Sequence, residues 1–250
     1  MLNNYDKIAR YYDVLSRLLF HQSQVNAQIA QLKFIPPHSR ILIAGGGTGW
    51  ILEELSKVQD QGLHITYVEI SAEMIRLAKK RNTGKNSIEF INCAIEEFPI
   101  TASYDVVHTA FLFDNFAGER TATVFRILHQ ALKPGGLWLY TDFFYQPGTD
   151  QPGTVADNTD ETIMSKHSQT EMNMPLIASS PLKNKQYTNE KWKGFLLKMM
   201  YGFFRRIANI EASSLPDTAI HFESGQYEKL DEKAYYRKFI KAIVYKKQAV

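Results

Sequence analysis

Ile41-Leu42-Ile43-Ala44-Gly45-Gly46-Gly47-Thr48-Gly49 runs from a β-branched, apolar strand straight into a cluster of glycines, and a helix-forming stretch follows at once. Glycine suits this junction because the backbone must turn tightly and let a ligand lie against it with no Cβ in the way. The next helix begins with free N–H groups suited to an anion. Glu69 stands twenty residues beyond Gly49, at the end of the second apolar run, where a carboxylate can accept both hydroxyls of a ribose. Taken separately, the glycines could be only a tight turn and Glu69 only a solvated strand end. Together, in this order and at this separation, they point to an adenosine-type ligand.

Outward from this junction, short β-branched runs alternate with helical stretches, the pattern of parallel strands joined by crossover helices. Strands are expected over residues 40–44, 64–70, 87–93, 104–110 and 137–143, and helices over 49–57, 72–81 and 119–132, the last ending before Pro134-Gly135-Gly136. Ser71 is the N-cap expected for the second helix. Upstream, residues 5–32 read as one or two helices laid over the sheet and stopped by Pro36-Pro37. Downstream, residues 146–185 are rich in turn formers and read as a long excursion. Trp192, Phe195, Leu196, Met199 and Phe203 then recur at helical spacing, and residues 227–236 and 239–245 read as an antiparallel pair. The expected organisation is one α/β domain over 1–250: a helical cap at 1–37, a binding core at 38–145, an insertion at 146–189, and a helix plus hairpin at 190–250.

Composition narrows the function classes. A net charge of +3 is too small to imply a nucleic-acid field, and the lysines near the C-terminus read as a solvated strand face. The single cysteine, Cys93, rules out an intrachain disulfide and a cysteine-built zinc cage, and the seven histidines show no paired ligand spacing, so no metal site is expected. The first residues lack the basic and apolar pattern of an export signal, and no apolar run approaches the roughly 18 residues of a bilayer span. A cytoplasmic setting and a small-molecule partner are the expectations.

The spacing Gly45-x-Gly47-x-Gly49 resembles the first motif of the class I S-adenosylmethionine-dependent methyltransferases, whereas a dinucleotide binder would carry a third glycine where Trp50 stands. The likeness continues in order. Val68-Glu69-Ile70-Ser71-Ala72-Glu73-Met74 is similar to the family's second motif, Tyr104-Asp105-Val106-Val107 to its fourth strand, and residues 126–136 to its helix, Pro-Gly turn and fifth strand. Tyr5-Asp6-Lys7-Ile8-Ala9-Arg10-Tyr11-Tyr12-Asp13 resembles the N-terminal helix of members that act on quinone precursors and other small acceptors. The resemblance implies a Rossmann-like, seven-stranded, mostly parallel sheet with an antiparallel C-terminal hairpin and helices on both faces. It implies S-adenosylmethionine as cofactor, with Glu69 on the ribose, Met74 beside the adenine, and backbone N–H groups near Ala94 and Ile95 at the adenine edge. By the same likeness Gly45, Gly46, Gly47, Gly49, Ile70, Thr109 and Ala110 belong to the cofactor site, and Tyr12 either closes over the cofactor or packs the cap.

Two positions depart from the family: Ile43 and Ala94 stand where acids are usual. A hydrogen bond involving a charged group contributes about 1.5–3 kcal/mol, so both losses weaken cofactor affinity. They leave open a binding module without catalysis, and the shared fold leaves open a nicotinamide-dependent oxidoreductase. For an active enzyme no catalytic residue is assigned. A base is needed only for a hydroxyl or weakly acidic carbon acceptor, and His108, Thr109, Asp114 and Asn115 stand at the end of the fourth strand, as sites or as packing. Phe111, Phe113, Phe116, Phe143, Phe144 and Tyr145 make that edge aromatic, which suits core packing and also a flat apolar acceptor roofed by residues 192–206.

Overall fold

The computed structural model describes residues 5–100, 103–145, 191–223 and 226–249. The elements run α1 (Ala9–Phe20), α2 (Ser23–Leu32), β1 (Arg40–Ala44), α3 (Trp50–Val58), β2 (Gln61–Val68), α4 (Ala72–Ala78), β3 (Lys85–Ile91), β4 (Tyr104–Ala110), α5 (Gly118–Ala131), β5 (Leu132–Phe143), α6 (Lys191–Ile207), α7 (Ala219–Phe222), β6 (Tyr227–Tyr235) and β7 (Ile240–Lys247). Alternation along β1 divides the core: Leu42 and Ala44 point to one face and Ile41 and Ile43 to the other, all buried. A strand buried on both sides needs a helical layer on each. Val124, Phe125 and Leu128 of α5 cover the first face. Leu32 of α2, Ile51, Leu52 and Leu55 of α3, and Ile75 of α4 cover the second.

The seven strands lie in the order β3-β2-β1-β4-β5-β7-β6. Pairing is parallel from β3 through β5, and β7 and β6 close the edge antiparallel. The order in which strands are laid down reverses at β1, with β2 on one side and β4 on the other, and the loops leaving the carboxyl ends there diverge to opposite faces. That divergence opens a crevice, the usual ligand position in such sheets. One buried side chain locks α2 to the far edge: Gln31 Nε2 donates to Tyr140 O and Ile243 O, both at 2.9 Å, and its Oε1 accepts from Thr141 Oγ1 at 2.8 Å.

Where boundaries differ from expectation, local chemistry explains it. β2 starts at Gln61 and stops at Val68, which leaves Glu69 just past the strand end. Ser71 caps α4, accepting from Met74 N at 3.1 Å, but the helix stops at Ala78 because Lys80 N and Arg81 N bond back three residues, to Leu77 O and Ala78 O. β5 begins at Leu132 rather than at residue 137. Leu132 pairs with Tyr104, and the register then shifts so that Leu137 faces Val106. Pro134 has no N–H to give and Gly135 turns at φ 76°, so the chain bulges inside the strand instead of preceding it. The excursion expected at 146–185 lies outside the described residues. No helix among the described residues is long and apolar enough to cross a membrane.

Candidate functional site

The glycine junction is built as its sequence requires. Gly45, Gly47 and Gly49 take φ of 68°, 63° and 77°, the left-handed region that side chains resist. Tyr67, fully buried, donates from its hydroxyl to Gly47 O at 2.8 Å, and its ring fills the place a Cβ on Gly46 would need. A Cβ on Gly47 would instead meet nothing within 4 Å, because that position faces the crevice. Glu69 completes the junction. One carboxylate oxygen accepts from Gly47 N and the other from Ser71 N, each at 2.9 Å. Burial raises the Glu69 carboxyl above its ordinary range, and the hydrogen bonds from Ser71 and Gly47 pull it back towards the charged form.

A cleft enclosing about 1170 Å³ of space, open to solvent, runs along this junction. Tyr12, Gly45, Gly46, Gly47, Glu69, Ile70, Met74, Ala94, Ile95 and Ala110 all line it. Gly49 and Thr109 do not. Gly49 packs under α4, where an added Cβ would lie 2.6 Å from Ala78 Cβ, and Thr109 points into the sheet core and accepts from Trp138 Nε1 at 2.9 Å. Tyr12 lines the cleft and also meets Tyr5 edge-on at 5.7 Å between ring centroids.

Several cleft residues carry no motif of their own. Asp13 accepts from Thr48 Oγ1 at 2.8 Å and pairs with Arg81 at 3.1 Å, while Arg81 Nε donates to Thr48 O at 3.0 Å. Asp6 accepts from Ser71 Oγ at 2.5 Å and from Glu73 N at 3.2 Å. The cap thus fastens at two points to the loops that bear Gly47 and Glu69. One signal was present: Asp6 and Asp13 are seven residues apart in a stretch that reads as helical, a spacing that would bring both to one side, although α1 itself starts only at Ala9. Arg120, whose guanidinium lies 4.7 Å over the Phe116 ring and pairs with Glu96, also lines the cleft.

His108 lines the cleft, is buried, and neither ring nitrogen has a hydrogen-bond partner. Burial depresses its pKa from 6.5 to about 4, so the ring is neutral at pH 7. Between those values the unfolded chain binds the proton that the folded one refuses, and stability is therefore lost as pH falls from 6.5 towards 4. At about 1.4 kcal/mol per unit, this loss is about 3 kcal/mol. Urea unfolding at pH 7 and pH 4 should show it in the native chain and not in His108→Leu; equal acid losses in both would refute the assignment.

A smaller pocket adjoins the cleft and shares Tyr5, Tyr12, Ser16, Gln24, Phe111 and Asn115 with it. Phe20, Phe143, and Met200, Tyr201 and Phe204 of α6 complete its apolar walls, so α6 does roof this edge. Phe113, by contrast, is fully buried core. Asp114 lines the pocket and accepts from Asn115 Nδ2 at 2.9 Å, and Asn115 in turn accepts from the Tyr5 hydroxyl. Asp142, at the end of β5, is buried; its Oδ1 accepts from Phe143 N at 2.8 Å, and its Oδ2 has no partner. Burial, then the nearby Asp142 charge, pushes the Asp114 carboxyl well above its ordinary range, and burial raises Asp142 too.

Comparison with known proteins gives a likeness to methyltransferases over part of the chain. Residues 41–136 match the family model described as a methyltransferase domain. The chain is 33% identical over 148 residues to a ubiquinone/menaquinone biosynthesis C-methyltransferase of Bartonella tribocorum, a match covering 56% of this chain and 54% of that protein. It is 32% identical over 143 residues to a malonyl-[acyl-carrier protein] O-methyltransferase of Priestia megaterium, covering 56% and 49%. The matches thus span about half the length of these curated relatives. The fold is shared with a Burkholderia thailandensis 1,6-didemethyltoxoflavin-N1-methyltransferase solved with 1,6-didemethyltoxoflavin and S-adenosylhomocysteine, at a TM-score of 0.52 and 15% identity over 98% of this chain and 86% of that one. The glycine loop and the strand-end acid both lie within residues 41–136, the part of the chain that is similar to a methyltransferase domain.

Proposed function

We propose that this chain transfers a methyl group from S-adenosylmethionine to a small, partly aromatic acceptor. The observation that carries the reading is the buried Glu69 carboxylate, fixed by Gly47 N–H beside a crevice that a Cβ on Gly47 would enter. The donor set fits the cofactor. Each Glu69 oxygen spends one lone pair on a backbone N–H and keeps others for ribose hydroxyls. Gly45 to Gly47 offer bare backbone to the amino-acid tail, Ile70, Met74, Ala94 and Ile95 flank the place for adenine, and Tyr12 closes the cleft from the cap.

When bound, the cofactor supplies a methyl made electrophilic by its sulfonium, so the protein must chiefly align an acceptor and exclude water. The adjoining aromatic pocket provides the alignment. One relative is named for transfer to carbon and another for transfer to oxygen, so neither atom is carried over. The reading as a binding module without catalysis rests on Ile43, which is buried in the core, and on Ala94, which lines the cleft without an acid. The oxidoreductase reading is disfavoured by Trp50, whose side chain lines the cleft where a dinucleotide needs a glycine.

Calorimetry tests the proposal. S-adenosylhomocysteine should bind at one site with affinity of micromolar order, about −8 kcal/mol, and NAD should not displace it. Absence of binding, or displacement by NAD, would overturn the reading.

A further inference from the structure

Six of the ten large apolar side chains that stand exposed among the described residues belong to two helices, α1 and α6. On α6 they are Phe195, Met199 and Phe203, 72%, 47% and 44% exposed, each four residues from the last and therefore on one stripe. Leu197, Met200 and Tyr201 of the same helix turn inward and are buried. A helix apolar on two sides needs cover on both, and the core covers only one. On α1, Tyr11, Val14 and Leu18 repeat the pattern at three- and four-residue spacing. Rings join the two stripes: Phe203 meets Phe204 at 5.3 Å, and Phe204 meets Tyr12 at 6.3 Å between centroids.

Charge indicates what covers them. Residues 191–208 hold no acid, and Lys198, Arg205 and Arg206 stand exposed among the apolar side chains. Lys7, Arg10 and Arg17, also exposed, follow the α1 stripe at the same spacing, while Asp13, the one acid of α1, is turned to Thr48 and Arg81. Arg10 pairs with Glu73, and the other five cations have no ion-pair partner among the described residues. A second copy of this chain in a two-fold contact would set these cations against themselves, which disfavours self-association.

We propose that the outer faces of α1 and α6 dock on an anionic phospholipid bilayer. The apolar side chains enter the boundary between headgroups and acyl chains while lysine and arginine on the same surface meet the phosphates, the combination that holds interfacial helices. Docking is peripheral, since no helix among the described residues is long and apolar enough to cross a membrane. It stands apart from the methyltransferase reading, yet it bears on access. The inner sides of the same helices, through Tyr12 and Ser16 of α1 and Met200, Tyr201 and Phe204 of α6, line the smaller pocket beside the cleft.

Flotation of the full chain with vesicles tests the proposal. One set is phosphatidylcholine alone, and the other carries about 30% phosphatidylglycerol, both in about 0.1 M salt. The expected result is binding at least about tenfold tighter to the anionic set, weakened on raising the salt to about 1 M, where the screening length falls to about 3 Å. Phe195→Ser with Phe203→Ser, Lys198→Glu with Arg206→Glu, and Val14→Ser with Leu18→Ser should each lower that affinity at least about tenfold. All six side chains are exposed, so the thermal unfolding midpoint should stay at the native value, which separates loss of docking from loss of fold. No binding to the anionic vesicles, equal binding to both sets, or binding that survives the substitutions on α6 would overturn the proposal. A dimer that Phe195→Ser with Phe203→Ser dissolves, in a chain that binds no vesicles, would overturn it in favour of a second copy. S-adenosylhomocysteine affinity, measured on the same chain, bears on the methyltransferase reading alone.

Discussion

Glu69→Gln is expected to weaken S-adenosylhomocysteine binding by about 10- to 150-fold, since one charged hydrogen bond contributes about 1.5–3 kcal/mol and each 1.4 kcal/mol is a factor of ten. The carboxylate has two tasks that the amide cannot share. As acceptor-only it takes Gly47 N–H on one oxygen and Ser71 N–H on the other and still offers lone pairs to the cleft. In glutamine, one of these oxygens becomes an NH2 that confronts an N–H. The loop then loses its fastening or turns the donor towards the ribose, and either result removes an acceptor from the ligand. Calorimetry at pH 7 with S-adenosylhomocysteine measures the effect, with thermal unfolding as the control for fold. An unchanged dissociation constant would mean that Glu69 serves only the loop, and the assignment of the cleft to an adenosyl ligand would go with it.

Gly49→Ala should lower folding stability by about 2–5 kcal/mol. A left-handed conformation adds about 1–2 kcal/mol for a non-glycine residue, and overpacking adds about 1–3 kcal/mol. The strain arises because φ is 77°. The overpacking arises because the new Cβ would stand 2.6 Å from Ala78 Cβ and 2.7 Å from Ala78 Cα, an approach that backbone cannot relieve by rotating a side chain. Gly47→Ala separates these two contributions. Its φ is 63°, but its Cβ meets nothing within 4 Å, so only the strain should appear in urea unfolding. Equal losses in the two variants would show that the contact between Gly49 and α4 contributes nothing.

The order of strands, the glycine junction and Glu69 were legible because each is local: β-branched runs, backbone that must bend, and an acid at a strand end. Ten of the twelve expected cofactor residues line the cleft, and all of them but Tyr12 of α1 and Met74 of α4 do so as neighbours of strand termini. Gly49 and Thr109 stand off it because strand alternation and helix packing, which depend on register, turned one under α4 and the other towards Trp138. Asp13 meeting Arg81 across sixty-eight positions, and Asp142 near Asp114, were not legible, since no spacing rule links segments brought together only by the sheet. His108 showed its place but not its isolation, because whether a buried ring finds a partner is decided by segments that its own neighbours in sequence do not reveal. The bulge at 133–136 lengthened β5 against a Pro-Gly signal that ordinarily announces a turn.

The cap has a different character from the sheet it covers. Along α1 only Ala9 and Phe20 are buried, whereas Tyr11, Val14 and Leu18 are 71%, 69% and 73% exposed. It is held near the cleft by carboxylate clasps at Asp6 and Asp13, by the Tyr5 hydroxyl on Asn115 and by Phe20 packed between Phe143 and Tyr236. A segment so attached can lift while the seven strands stay paired, as a sub-global opening whose free energy is far smaller than that of melting. A separate opening of the cap would have to undo both aspartate contacts and withdraw Phe20, and hydrogen exchange faster in α1 than in β1 is the expected sign of it.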